Sequence, residues 1–213
     1  RSFLMFETEV TQDQYESLMD EYPSSAAKST NGFDCVDYYP SVVKPVNCVT
    51  WNDALLYANK LSNAEGLHPC YELRGKQIVW PNGIDCQGYR LPTEEEWEYA
   101  ARAGTSQIFA GSQTPALVAW YSDNSKPPKS NPVRHKQPNA WGLYDLTGNV
   151  AEWVWDPYRG YASKGIGTVE GAGHVIRGGD FLSAGQDCRV ARREWAEAGT
   201  REPHLGFRLV RSQ

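Results

Sequence analysis

The stretch Asn139–Trp155, NAWGLYDLTGNVAEWVW, decides how the rest of the chain is interpreted. It holds three tryptophans, two glycines and three polar side chains close together, Asp145, Asn149 and Glu152. Tryptophan carries a large apolar ring that suits the protein core, and glycine permits tight turns and close backbone approach. Burying a carboxylate costs several kcal/mol, roughly, unless it is paired or bound to a metal. We therefore expect a turn-rich core segment in which Asp145, Glu152 and nearby carbonyls surround a hard cation such as calcium.

Length and composition set the class of protein. The 213 residues, of which 40% are hydrophobic, predict one domain over residues 1–213. The formal charge of −5 leaves no basic footprint, so we expect no nucleic-acid partner. No apolar run approaches the roughly 18 residues that a membrane span needs. Since Arg1 reads as part of a structured segment, we expect any signal peptide, lipid anchor or fusion partner outside this chain.

The five cysteines predict two local disulfides. Cys35 and Cys48 bracket a short loop, as do Cys70 and Cys86, which leaves Cys188 over. Each bridge closes a loop of about 15 residues and contributes about 3 kcal/mol in the chain-entropy model. Such bridges indicate an oxidising compartment, hence an extracytoplasmic protein. The alternative is five reduced thiols in the cytosol.

Three helices are predicted, because each begins at a threonine that can cap it and continues with apolar residues at helical spacing. The first runs from Thr11 to Met19, the second from Thr50 to Gly66 and the third from Thr93 to Gly104. Strand patterns are shorter. They cover residues 45–50, 89–91, 174–177, 188–193 and 205–210, with a hairpin over Cys70–Trp80 that turns at Gly75-Lys76.

Four sequence blocks, in this order and spacing, carry a resemblance to a known family. They are residues 89–104 (YRLPTEEEWEYAARAG), 139–153 (NAWGLYDLTGNVAEW), 177–182 (RGGDFL) and 206–209 (GFRL), and residues 9–11 and 45–61 fit as well. Together they resemble the formylglycine-generating enzyme family, also called sulfatase-modifying factor domains, over nearly the whole chain. The resemblance implies an α+β variant of the C-type lectin fold, with two main helices on small twisted antiparallel sheets and many loops.

The resemblance also implies where the family's chemistry lies. Active members are copper-using oxidases that convert a substrate cysteine to formylglycine with two cysteines, five residues apart, after the RGG block. Ser183 and Cys188 occupy those positions here. Because a hydroxyl cannot replace a thiolate toward soft copper(I), we expect no copper and a chain without this activity. Related iron oxidases use histidines, but the four histidines of this chain are scattered.

The family's calcium site carries over onto Asp145, the carbonyls of Gly148 and Val150, and Glu152. Two carboxylates and two carbonyls suit calcium and would hold the loop in place. In the alternative interpretation, Asp145 caps a turn and Glu152 pairs with an arginine such as Arg177 or Arg192.

Three hypotheses of function follow. The first is a non-catalytic binding module whose partner, a protein or small ligand, contacts the Ser183–Pro203 face through its arginines and aromatic ring. The candidate contacts are Arg192, Arg193, Trp195, Arg201 and His204. The second is an oxidoreductase, either of the formylglycine-generating type or of altered chemistry in which nearby arginines activate the thiol of Cys188. The third is a structural part of an exported assembly.

Overall fold

The computed structural model describes residues 2–19, 30, 35, 43–74, 77–158 and 173–213. Four helices lie in this part of the chain: α1 (Gln12–Met19), α2 (Trp51–Ala64), α3 (Glu94–Arg102) and the short α4 (Pro115–Val118). The nine strands are β1 (Phe3–Met5), β2 (Glu72–Arg74), β3 (Gln77–Val79), β4 (Tyr89–Arg90), β5 (Ala151–Pro157), β6 (His174–Arg177), β7 (Glu194–Ala196), β8 (Leu205–Phe207) and β9 (Val210–Ser212). The α+β class is confirmed.

The caps explain where the two long helices begin. Thr50 accepts a hydrogen bond from Asp53 N while the Asp53 carboxylate accepts from Thr50 N, and Thr93 and Glu96 do the same for α3. Each capping box satisfies two backbone N–H groups that the helix start leaves free. The α3 helix ends at Ala103, whose backbone is left-handed. All three predicted helices are therefore present, because their start signals are local in sequence.

The strands form three small sheets. Their orders are β1-β9-β4, β2-β3 and β7-β6-β5-β8. The expectation of antiparallel sheets needs one correction, since β5 and β8 pair in parallel, with Glu152 opposite Gly206. The strands of the predicted hairpin are β2 and β3, and its predicted turn residues Gly75 and Lys76 lie outside the described residues.

Three strand predictions are wrong or incomplete. Residues 45–50 form only an isolated bridge, because the left-handed backbone of Cys48 prevents a continuous strand. Residues 188–193 contain the last residue of a 3-10 helix and then a turn, and the strand begins at Glu194. Residues 205–210 split between two sheets at Arg208, whose side chain enters the core. Conversely, β5 lies in the stretch that we expected to be turns.

The core has two main parts, and the mixed sheet separates them. One packs α1 and α2 against the sheet around Tyr15, Leu55, Trp153 and Phe207. The other packs α3 against the opposite face around Trp97 and neighbouring residues. Both predicted disulfides are confirmed: Cys35–Cys48 and Cys70–Cys86, with Cα–Cα distances of 5.9 and 5.5 Å.

Candidate functional site

Two carboxylates of the central stretch and one from the N-terminal segment lie in the core beside one guanidinium. Glu9, Asp145, Glu152 and Arg208 are all buried, and we call them the buried acidic cluster. Arg208 Nε donates to Glu152 Oε2 at 2.8 Å and its Nη2 donates to Oε1 at 2.7 Å. With all three carboxylates ionised, this cluster has an excess of two negative charges. Such an excess in a low dielectric is costly unless protons or a cation offset it.

The partner of Glu152 corrects one expectation. Glu152 pairs with Arg208, whereas Arg177 pairs with Glu94 and Glu98 on α3. The parallel pairing explains this choice, because Gly206 lies opposite Glu152 and side chains two residues apart on a strand share a face. Arg192 forms its ion pair with Glu194 instead.

Glu9 completes this cluster, and the sequence analysis missed it as a ligand candidate. Asn149 Nδ2 donates to Glu9 Oε1 at 3.1 Å, but Glu9 Oε2 is buried without a hydrogen-bond partner among the described residues. Burial, followed by the charge of Asp145, raises the pKa of Glu9 well above its usual value. The unpartnered oxygen is visible only in the tertiary structure, because the sequence shows only that residues 9–11 fit the family pattern.

Asp145 lies at the edge of the cluster in a left-handed turn, with φ of 57°. Its Oδ2 accepts a hydrogen bond from Arg134 N at 2.8 Å, and burial raises its pKa to about 6. Gly148 follows with φ of 72°, and a Cβ there would lie 2.2 Å from the Trp120 carbonyl oxygen, so only glycine fits. Within the described residues no three His, Cys, Asp or Glu side chains converge on a metal position. A cation here would thus depend on backbone carbonyls such as those of Gly148 and Val150.

Ser183 and Cys188, which the family resemblance matches with a cysteine pair, lie in the turn and the 3-10 helix that follow β6. Ser183 Oγ accepts from Asp180 N at 3.1 Å, and Cys188 Sγ donates to the Ala184 carbonyl at 3.7 Å. Gly179 lies against the thiol. A Cβ added at this position would come within 2.9 Å of Cys188 Sγ. The available donors are therefore one hydroxyl and one protonated thiol, which is not the soft dithiolate set that copper(I) prefers.

The environment of Cys188 keeps its thiol protonated. The side chain is fully buried and is the one free cysteine among the five. Burial, together with the charges of Asp180 and Asp187, raises the pKa of Cys188 to about 12. The arginines that were expected to activate it point elsewhere, since Arg189 Nε donates to the Gln186 carbonyl. A thiol in this state is a poor nucleophile at neutral pH.

Three of the five candidate binding residues lie together around β7. The Trp195 ring is 46% exposed and stacks on Tyr158 at 5.9 Å between ring centroids. Arg193 lies over the same Tyr158 ring at 5.5 Å and bonds Glu94, while Arg192 stays 43% exposed and pairs with Glu194. Because β7 is an edge strand of the mixed sheet, this group is presented at the surface.

The other two candidates contribute to structure. Arg201 bonds Asp53 at the start of α2 and the Cys48 carbonyl, so it ties the end of the Ser183–Pro203 segment to the helix. His204 packs edge-on against Phe181, with its Nε2 3.9 Å from Asp180. The predicted five-residue face therefore divides into an exposed group and a structural group.

Two cavities border this segment, and neither was predicted. The first, of about 480 Å³, we call the arginine cavity. It is lined by Arg102, Ser106, Gln107, Arg189, Arg192 and Arg193, among others. The second, of about 900 Å³, we call the aromatic cleft, and Trp51, Tyr71, Trp155, His174 and Ala198 lie in its walls. The aromatic content of the sequence is visible, but the meeting of these rings depends on tertiary packing.

Comparison with known proteins agrees with this fold and these motifs. A sulfatase-modifying factor enzyme 1-like domain, of the formylglycine-generating enzyme type, matches residues 1–213, and the chain belongs to this family. The resemblance inferred from the four sequence blocks is thus confirmed.

Proteins with different names are similar to this chain. Chaperone protein LppX of Paenibacillus barcinonensis is 30% identical over 99% of the chain and 80% of its own length. The formylglycine-generating enzyme of Streptomyces coelicolor is 33% identical over 78% of the chain, but the match spans only 52% of that enzyme. The solved structure of Treponema denticola variable protein 1 is 35% identical, with a TM-score of 0.83 over 99% of this chain and 84% of that one.

Proposed function

We propose that this domain is a non-catalytic, extracytoplasmic binding module that recognises a protein partner at the exposed group around β7. The single observation that carries the proposal is the half-exposed Trp195, held by Tyr158 on an edge strand and flanked by Arg192 and Arg193. Tryptophan and arginine are the side chains that most often anchor protein interfaces. No other described strand pairs with the outer side of β7, and an edge of this kind offers backbone groups to a partner.

Two relatives support a binding function. One is named a chaperone protein and the other a variable protein, and both align with 99% of this chain. The match to the Streptomyces coelicolor enzyme spans about half of that enzyme. A family relationship alone does not transfer activity, because function depends on the residues of the site.

The donor chemistry argues against the competing oxidoreductase. Ser183 supplies a hard hydroxyl where the family uses a thiolate, and Cys188 is buried with a raised pKa. A buried thiol with a raised pKa is a poor redox nucleophile at neutral pH, and a single cysteine does not supply the pair of soft ligands that the family resemblance implies for copper(I). On this basis the chain has lost the family's oxidation chemistry and kept its scaffold.

An extracytoplasmic location is supported by the disulfides. Two bridges have formed, and disulfides persist in oxidising compartments and are rare in the reducing cytosol. Within the described residues no helix has the length and apolar character required to cross a membrane.

Calcium binding beside the buried acidic cluster is part of the proposal. The cluster carries three carboxylates against one arginine, and Glu9 Oε2 has no hydrogen-bond partner there. A divalent cation would balance this charge, with Asp145, Glu152 and the carbonyls of Gly148 and Val150 as ligands. Arg208 donates to both oxygens of Glu152 and Trp97 donates to Oε2 as well, so Glu152 can offer a cation only the second lone pair of Oε1. The cation would supply loop rigidity and no chemistry.

The function is tested by comparing two tryptophan variants. Trp195→Ala removes the proposed anchor. Trp141→Ala is the matched control, since Trp141 is 48% exposed and also contacts one tyrosine ring, packing edge-on against Tyr99 at 5.0 Å between ring centroids. Immobilised wild-type protein and both variants are exposed to the extracytoplasmic fraction of the source cells, and retained proteins are identified by mass spectrometry.

The proposal expects a protein that wild type and Trp141→Ala retain and Trp195→Ala loses. With that partner purified, calorimetry should show affinity at least about tenfold weaker for Trp195→Ala, the loss of about 1.4 kcal/mol or more typical of an anchor. Affinity that is equal for both variants would refute the assignment of the face. Conversion of a cysteine peptide to formylglycine by the wild type would refute the non-catalytic proposal.

A further inference from the structure

The arginine cavity is a built concavity between two parts of the chain. One wall is the end of α3 and the turn after it, through Ile108, and the other is residues 189–193. A hydrogen bond of 2.9 Å from Val190 N to the Ile108 carbonyl joins the two walls. The cavity measures about 480 Å³, which is ample for a small polyatomic ligand.

The lining of the cavity has one sign of charge. No carboxylate lines the cavity, and its charged side chains are four arginines: Arg102, Arg189, Arg192 and Arg193. Three of these arginines are held by carboxylates that lie outside the lining, Glu98 for Arg102, Glu194 for Arg192 and Glu94 for Arg193. These ion pairs fix the positions of the guanidinium groups while the carboxylates stay outside the cavity.

Arg189 is the exception among the four. In the described part of the chain it bonds only a carbonyl oxygen, that of Gln186, through Nε at 2.7 Å. Its side chain is exposed, and its four remaining guanidinium N–H groups are available to a ligand. An arginine with no carboxylate partner beside three ordered ones leaves a positive charge in the cavity that a ligand can neutralise.

We propose that the arginine cavity binds a multivalent oxyanion, a phosphate or sulfate group carried by a small molecule or by the partner itself. Guanidinium groups offer paired N–H donors whose planar geometry matches the oxygens of phosphate, and such charge-assisted bonds are stronger than neutral ones. Ser106 and Gln107 add neutral polar groups to the lining. The inference extends the proposed function, because residues 189–193 belong to the proposed binding segment.

The aromatic cleft does not suit the same ligand. Its lining includes Asp53 and Glu72 but no lysine or arginine, so a phosphate or sulfate group would meet only like charge there. The two cavities therefore differ in chemistry, although residues 189–198 contribute to both.

The test is calorimetric titration of the purified domain with sodium pyrophosphate, sodium sulfate and a hexaglutamate peptide at low ionic strength. Arg189→Gln removes the charge that has no carboxylate partner and leaves the three ordered arginines in place. Arg74→Gln is the matched control, because Arg74 is 64% exposed on β2, pairs with Glu72 and lies outside the cavity. Circular dichroism and thermal unfolding check that both variants keep the fold.

The inference expects saturable binding of pyrophosphate or sulfate by the wild type and by Arg74→Gln, weakened at least tenfold in Arg189→Gln. The affinity should also fall as sodium chloride rises from 50 to 500 mM, since each phosphate contact releases or displaces ions. Absence of saturable oxyanion binding by the wild type overturns the inference, as does equal weakening in both variants. Binding of hexaglutamate without either inorganic anion also overturns it, in favour of an acidic protein segment.

This experiment is independent of the partner test. If Trp195→Ala binds pyrophosphate as the wild type does but no partner depends on Trp195, the oxyanion site stands and the proposed function fails. If a partner depends on Trp195 but the wild type binds no oxyanion, the proposed function stands and the oxyanion site fails.

Discussion

The Glu152–Arg208 pair offers the sharpest test of how this core is held together. Arg208 is fully buried and makes a bidentate ion pair with Glu152. The same guanidinium donates to the carbonyls of Phe6, Glu7 and Tyr144 at 3.1, 3.2 and 2.9 Å. One side chain thus joins β5, the N-terminal segment and the central stretch. We expect Arg208→Met to destabilise the domain severely.

The magnitude follows from what the substitution leaves behind. Removing one partner of a buried ion pair leaves an uncompensated charge and costs about 3–5 kcal/mol. The three carbonyls also lose a donor, which favours the upper part of that range. For a chain of 213 residues, each kcal/mol shifts Tm by about 2–4 °C, so we expect a fall of roughly 6–20 °C.

Thermal and urea unfolding, followed by circular dichroism under non-reducing conditions with EDTA, measures this loss. Arg74→Met is the control, because its exposed pair with Glu72 should contribute less than about 1 kcal/mol. The double variant Arg208→Met/Glu152→Gln removes the uncompensated charge and should recover part of the stability. If Arg208→Met loses no more than the control, or if the double variant is as unstable as the single one, our account of the pair is wrong.

Two further predictions concern buried titratable groups. In EDTA, Asp145→Asn should become more stable than the wild type as pH rises from 4 to 8. Burial raises the folded-state pKa of Asp145 to about 6, so the wild type loses stability as pH rises through that value. The loss in the free energy of unfolding should be about 3 kcal/mol at most. With 1 mM calcium at pH 8 the order should reverse, because only the wild type keeps the carboxylate ligand. Urea titrations at each pH measure both effects. A free energy of unfolding of the wild type that calcium leaves unchanged would count against the calcium proposal. Iodoacetamide should leave Cys188 unmodified in the folded domain at pH 7.5 and should alkylate it in urea. The reason is that the thiol is buried and its pKa is raised to about 12. Peptide mass mapping measures the labelling, and rapid labelling of the native protein would contradict this prediction.

The elements that could be predicted from sequence are those whose signals are local. The capping boxes at Thr50 and Thr93 lie within four residues of chain, so the starts of α2 and α3 follow from the sequence. Strands depend on partners far along the chain. The alternation in residues 188–193 predicts a strand, but that segment bends around the arginine cavity and the strand begins at Glu194.

The candidate site divides in the same way. The hypothesis of a binding module comes from the sequence. It depends on Ser183, where the resemblance implies a cysteine, and on Trp195 near two arginines. The burial of Cys188, which determines whether its thiol can react, is a property of packing. The separation of Arg201 from the exposed group results from its ion pair with Asp53, 148 positions earlier in the chain.

The amino-acid sequence by itself determined the family, the helix starts and the two disulfide loops, because each depends on residue identity or on short spacing. It also led us to predict that Ser183 stands where the family has a soft metal ligand. Only the tertiary structure decided that Glu152 pairs with Arg208, that Glu9 joins it with an oxygen left over, and that four arginines line one cavity. These outcomes depend on the parallel pairing of β5 with β8 and on contacts between distant segments. Burial and pairing are properties of surroundings, and the surroundings of a side chain exist only once the chain has folded.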